Sequence, residues 1–131
     1  MSLEVCIIDD DLVSQFATQY RIEQSDIKCS ITNYDSAEKF LEMISSQHRN
    51  PLLMPDILLL DLVMTGMNGW ELLDEVEKIL GANFKTKVYV LSAFNNAKDR
   101  KLAKNHPKIQ GYFDKPLSKD NVDKIFRLHK T

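Results

Sequence analysis

Short apolar runs alternate along this chain with stretches of helical period, and that alternation decides the fold class. Val5 to Ile8, Ile57 to Leu60 and Val88 to Leu91 are each about four residues long, the length of a buried strand and far below the roughly 20 residues that cross a bilayer. Ile109 to Phe113 reads as a further strand, and a weaker one, Ile27 to Tyr34, alternates Ile27, Cys29 and Ile31 against Lys28, Ser30 and Thr32. Between the first two, Leu12, Phe16 and Tyr20 recur four apart with Val13 and Ala17 beside them, which predicts a helix that buries that stripe. Asp35 and Glu38 resemble a capping box ahead of Ala37, Phe40, Leu41 and Ile44.

Pro51 and Pro55 make His48 to Asp56 a loop. A turn, Thr65 to Gly69, precedes a strongly amphipathic helix through Leu72, Leu73, Val76, Ile79 and Leu80, which Gly81 should end. From Asn95 to Asn105 only Ala97, Leu102 and Ala103 can be buried, so that helix should be lightly anchored. Ser118 should cap a last helix that buries Val122, Ile125 and Phe126. Strands that alternate with helices require right-handed crossovers and a parallel sheet covered on both faces. The expected class is α/β, doubly wound.

A chain of 131 residues, 44% hydrophobic and 27% charged, has the material for one hydrophobic core over residues 1–131. Cys6 and Cys29 are too few for a disulfide framework, lack metal-ligand spacing and read as buried strand residues. With no signal-like or spanning segment, a cytoplasmic location is the expectation and no membrane role is expected. The net charge of −2 hides an asymmetry: residues 1–97 carry 7 Lys and Arg against 15 Asp and Glu, residues 98–131 carry 10 against 4. Lys98, Arg100, Lys101, Lys104 and Lys108 read as solvated surface, since no aromatic residues interleave with them as in a nucleic-acid site.

The chemistry lies at the carboxyl end of each run. Asp9, Asp10 and Asp11 come after the first, Asp61 after the third, Ser92 after the fourth and Lys115 after the fifth. In an open parallel sheet these ends meet at one edge, where ligands bind. Several carboxylates gathered there repel one another unless a cation compensates them, and Mg²⁺ suits one or two carboxylates, waters and phosphate oxygens. That leaves a carboxylate free as a nucleophile on phosphorus, with Lys115 and the Ser92 hydroxyl to meet the transferred oxygens. Asp11 also reads simply as a helix cap.

These segments, Ile7-Ile8-Asp9-Asp10-Asp11, Asp56 to Gly69, Val90-Leu91-Ser92-Ala93 and Phe113-Asp114-Lys115-Pro116, resemble the receiver domain of two-component response regulators across essentially the whole chain. The resemblance implies a five-stranded parallel sheet of the flavodoxin-like (βα)5 type, strand order 2-1-3-4-5. It implies that Asp61 accepts a phosphoryl group from a histidine kinase or a histidine phosphotransfer protein. Asp9 and Asp10, with Asp61 and the backbone carbonyl of Val63, would hold Mg²⁺. Lys115 would contact the phosphoryl group, Pro116 would follow a cis bond, and Ser92 and Tyr112 would form the switch pair. Slow self-dephosphorylation and dimerisation on activation are further family properties.

Two departures stand out. Thr65 takes the place where the family commonly has proline, which should loosen the turn without removing a catalytic group. Val63 puts an apolar side chain at the mouth of the site, where it should hinder an attacking water. A phosphatase of the haloacid dehalogenase type would need an acid two residues after the nucleophile, and Val63 is none. An unphosphorylated interaction module would be expected to have lost one of Asp9, Asp10, Asp61, Ser92 and Lys115. The output is expected to be a protein contact through the 95–131 face, with no direct nucleic-acid binding.

Overall fold

The computed structural model describes residues 3–47, 54–93 and 96–127. Five strands, β1 (Leu3–Ile8), β2 (Cys29–Tyr34), β3 (Ile57–Asp61), β4 (Lys87–Ser92) and β5 (Ile109–Asp114), alternate with five helices: α1 (Leu12–Glu23), α2 (Ala37–Gln47), α3 (Gly69–Leu80), α4 (Ala97–Asn105) and α5 (Lys119–Arg127). All pairings are parallel and the order is β2-β1-β3-β4-β5. This is the doubly wound, flavodoxin-like sheet expected of the sequence.

Strand side chains point alternately to the two faces, and the two halves of the core obey that rule. Cys6, Ile8, Leu58, Leu60, Val88 and Val90 pack with Phe40 and Ile44 of α2 and Leu72, Leu73 and Val76 of α3. Val5, Ile7, Ile57, Leu59, Tyr89 and Leu91 pack on the other face with Ile22 of α1 and Val122, Ile125 and Phe126 of α5. Every residue of β3 is buried, as the central strand of a sheet covered on both sides must be. Asn68 opens α3 through a full capping box with Glu71, and Gly81 ends it. The Ser118 hydroxyl accepts the Asn121 N–H at the start of α5.

Four expectations are corrected. The apolar stripe of α1 faces outward: Leu12, Val13, Phe16 and Tyr20 are all more than half exposed, and the helix buries only Thr18 and Ile22. The period is helical, but α1 turns its more polar side to the sheet because Ser14 and Gln15 bond to the carboxyl ends of the strands. At α2 the cap is Ser36, whose hydroxyl accepts the Lys39 N–H; Asp35 instead pairs with Lys39, and Glu38 reaches across to the Met67 N–H. In α4 Ala97 and Leu102 are exposed, leaving Ala103 as its buried residue. Lys108 is not a solvated cation, because its ammonium donates to the Phe84 carbonyl at 2.8 Å and lies over the Phe84 ring. Most of the proline-containing loop at His48 to Asp56, and Asn95 before α4, lie outside the described residues.

Candidate functional site at the carboxyl edge of the sheet

β1, β3, β4 and β5 deliver Asp9, Asp61, Ser92 and Lys115 to one edge of the sheet. Asp9, Asp61 and Ser92 are buried, at 2%, 7% and 3% exposure. The Lys115 ammonium donates to Asp9 Oδ2 at 2.7 Å, to Asp61 Oδ2 at 3.0 Å and to the Ser14 hydroxyl at 3.0 Å. A lysine 54 residues from Asp61 and 106 from Asp9 is thus the counter-charge that lets two buried carboxylates lie side by side. Lys115 is placed by its own N–H, which donates to the Ser92 carbonyl at 2.8 Å, and the Lys115–Pro116 peptide is cis.

Each carboxylate is also held by the loops. Asp9 Oδ1 accepts the Asp11 N–H at 3.0 Å, and Asp9 Oδ2 accepts the Ser14 hydroxyl at 2.6 Å. Asp61 Oδ1 accepts the Val63 N–H at 3.2 Å, and Asp10 Oδ2 accepts the Thr65 N–H at 2.8 Å. Asp11 caps α1, accepting the N–H groups of Val13 and Ser14. Gly69 lets the start of α3 close against β3: a Cβ there would stand 2.9 Å from the Asp61 carbonyl oxygen. Val63 is 54% exposed at the rim. Tyr112 is half-buried, in register with Val90, with the Arg100 guanidinium 5.4 Å from its ring centre.

Burial pushes the Asp61 carboxyl above the usual carboxylate range, and the nearby Asp9 charge adds to this while Lys115 opposes it. For Lys115, burial works against the ammonium, but its bonds to Asp9 and Asp61 and their charges together outweigh that and hold it above the ordinary lysine value. Oxygen atoms of Asp9, Asp10 and Asp61 lie within 4.8 Å of one another. A set of hard oxygen donors so close, with one lysine among three acids, fits a small divalent cation such as Mg²⁺.

Ser14 and Thr65 are the site residues that the sequence does not reveal. Ser14 lies one helical turn beyond the acidic run, a spacing that returns a side chain to the same edge. At position 65 the visible signal is the absence of proline, and the active feature is the N–H that proline would lack.

The response regulator receiver domain model matches residues 5–127, and the chain belongs to that family. A two-component response regulator from Cytophaga hutchinsonii is similar in structure, with a TM-score of 0.87 at 23% identity over 99% of this chain and 100% of that one. A response regulator receiver protein from Dyadobacter fermentans superposes with a TM-score of 0.80 at 22% identity, covering 97% of each chain. A two-component response regulator from Legionella pneumophila is 28% identical, with a TM-score of 0.75 over 97% of each chain. No curated protein sequence matches the chain. Among the described residues no helix is long and apolar enough to cross a membrane.

Proposed function

We propose that this receiver accepts a phosphoryl group on Asp61 from the phosphohistidine of a histidine kinase or phosphotransfer protein, in a Mg²⁺-dependent reaction that switches a protein-interaction surface. The observation that carries this reading is the Lys115 ammonium bridging Asp9 and Asp61, with Asp10 alongside. In the transfer an Asp61 carboxylate oxygen attacks phosphorus, the P–N bond breaks, and its electron pair stays on the donor imidazole, which then takes a proton. Asp9, Asp10, Asp61 and the Val63 carbonyl would hold Mg²⁺, which supplies charge neutralisation for the phosphoryl oxygens. Lys115 pairs with the transferred oxygens, and the Ser92 hydroxyl donates to them. Ser92 and Tyr112 lie on neighbouring strands, so a shift of the hydroxyl toward the acylphosphate is felt at Tyr112 and the adjoining α4.

The exposed apolar stripe of α1 adjoins the acidic loop and gives a protein donor a surface to dock on. The downstream partner, or a second copy on activation, binds the basic face of α4, β5 and α5. Location in the cytoplasm, one functional domain over residues 1–131 and slow self-dephosphorylation complete the reading. The test is the intact mass after incubation with acetyl phosphate, with and without Mg²⁺, beside Asp61→Asn. One phosphoryl adduct, lost without Mg²⁺ and lost in the variant, is expected. A folded wild type with no adduct would make the chain an unphosphorylated interaction module.

A further inference from the structure

We propose that the backbone N–H of Thr65 is the positioning group that aims Asp10 for divalent-cation binding, an inference that rests on the receiver reading above. The bond from Thr65 N to Asp10 Oδ2, 2.8 Å long, spans 55 residues and joins the loop after β1 to the loop after β3. The other two acids are each fixed by more than one donor. Asp9 has Asp11, Ser14 and Lys115, and Asp61 has Val63 and Lys115. Among the described residues, Thr65 is what holds the Asp10 carboxylate.

The donor is itself held in place. Two residues on, the Met67 N–H donates to Glu38 Oε2 of α2 at 3.0 Å. Gly66 between them is at φ +82°, and a Cβ there would stand 2.6 Å from that same Glu38 oxygen. Asn68 then caps α3. The segment from 65 to 68 is therefore fixed on one side by Asp10 and on the other by Glu38, so that Thr65 tethers the turn rather than loosening it as its sequence suggested. Charge on Glu38 suits this role, since the Met67 N–H draws its carboxyl below the usual range.

Outer donors of this kind orient a ligand before the cation arrives, and losing one typically weakens metal affinity by 10- to 100-fold. The Thr65 side chain is exposed and is not the active part. Removing the N–H by Thr65→Pro is the informative change, and Thr65→Ala, which keeps the N–H, is its control.

The experiment is a Mg²⁺ titration of the full chain by calorimetry and Trp70 fluorescence for wild type, Thr65→Ala and Thr65→Pro, each checked for folding by circular dichroism. Wild type and Thr65→Ala should bind equally, and Thr65→Pro about tenfold more weakly. Equal affinity in Thr65→Pro, or an equal loss in Thr65→Ala, overturns the inference. Wild type that binds no Mg²⁺ sinks the receiver reading itself. Should Thr65→Pro not fold, the wild-type Thr65 amide proton decides by NMR: its resonance should shift with the same midpoint as Mg²⁺ binding and move in Asp10→Ala. An amide unmoved by both overturns the inference.

Discussion

The Trp70 indole N–H donates to Asp99 Oδ1 at 3.3 Å and so ties the first turn of α3 to the first turn of α4. The same indole lies 6.2 Å from the ring of His106, the residue that ends α4. One side chain, just beyond the loop after β3, therefore touches both ends of a helix that buries only Ala103. Asp99→Ala should cost about 1 kcal/mol of global stability, the scale of one hydrogen bond. Its larger effect should be local: faster amide exchange through residues 97–105 and a red shift of Trp70 emission. Unchanged exchange in α4 would show that the indole does not restrain it.

The Lys115 ammonium is the counter-charge for two buried acids, and its side chain is 10% exposed. Removing that one cation leaves two buried carboxylates facing each other uncompensated. Lys115→Ala should cost about 3 kcal/mol in urea denaturation with a chelator present. Millimolar Mg²⁺ should restore most of that loss, because the cation replaces the missing charge. A loss that Mg²⁺ does not touch would mean Lys115 acts through packing alone.

Asp61 gives a pH prediction whose sign is fixed by the direction of its shift. Its folded pKa is raised, so the ionised carboxylate costs folding free energy at neutral pH. That cost is relieved as the pH falls through the folded pKa, where the native protein binds a proton before the unfolded chain does. Without Mg²⁺, Asp61→Asn should therefore be more stable than wild type at pH 7. The difference should close on acidification. Lys115 has the complementary behaviour: its raised pKa contributes stability that is present at neutral pH and lost only above the ordinary lysine range. An Asp61→Asn gain that is constant with pH would refute this assignment.

The sheet and its carboxyl edge are legible in the sequence because buried parallel strands read as unbroken apolar runs and each run ends in a polar group. Asp9, Asp61, Ser92 and Lys115 can be brought together from connectivity alone. Helix α1 misleads for the opposite reason. Leu12, Phe16 and Tyr20 have a core-like period, and no local pattern says which side of a helix faces the sheet when Ser14 and Gln15 are needed at the site. The cap of α2 lies one residue from where the local pattern puts it because Glu38 serves the loop after β3, a tertiary contact 29 residues away. Position 65 draws notice for the proline it lacks, whereas its backbone makes the bond.

Val63 is 54% exposed beside Asp61. An apolar side chain at the rim gives an attacking water no hydrogen bond, so the acylphosphate should be long-lived. Val63→Asn supplies such a bond and should shorten the half-life by roughly fivefold, equivalent to about 1 kcal/mol in the barrier. Intact-mass decay curves after removal of acetyl phosphate give the number. A half-life that does not shorten would remove Val63 from the account.

Helix α1 separates stability from recognition within one element. Ile22 is fully buried against the α5 side of the sheet, whereas Phe16, stacked on Tyr20 at 6.4 Å, is 71% exposed. Truncating a buried isoleucine removes apolar contacts and leaves a cavity, so Ile22→Ala should cost about 3 kcal/mol. Phe16→Ala should change stability by less than about 0.5 kcal/mol, as surface substitutions do. A contiguous exposed stripe of Leu12, Val13, Phe16 and Tyr20 is the kind of surface that a protein partner covers. Phe16→Ala should therefore leave labelling by acetyl phosphate unchanged while slowing phosphotransfer from a histidine phosphotransfer protein. Equal slowing with both donors would place the effect in the acceptor site, and slowing with neither would move protein docking away from α1.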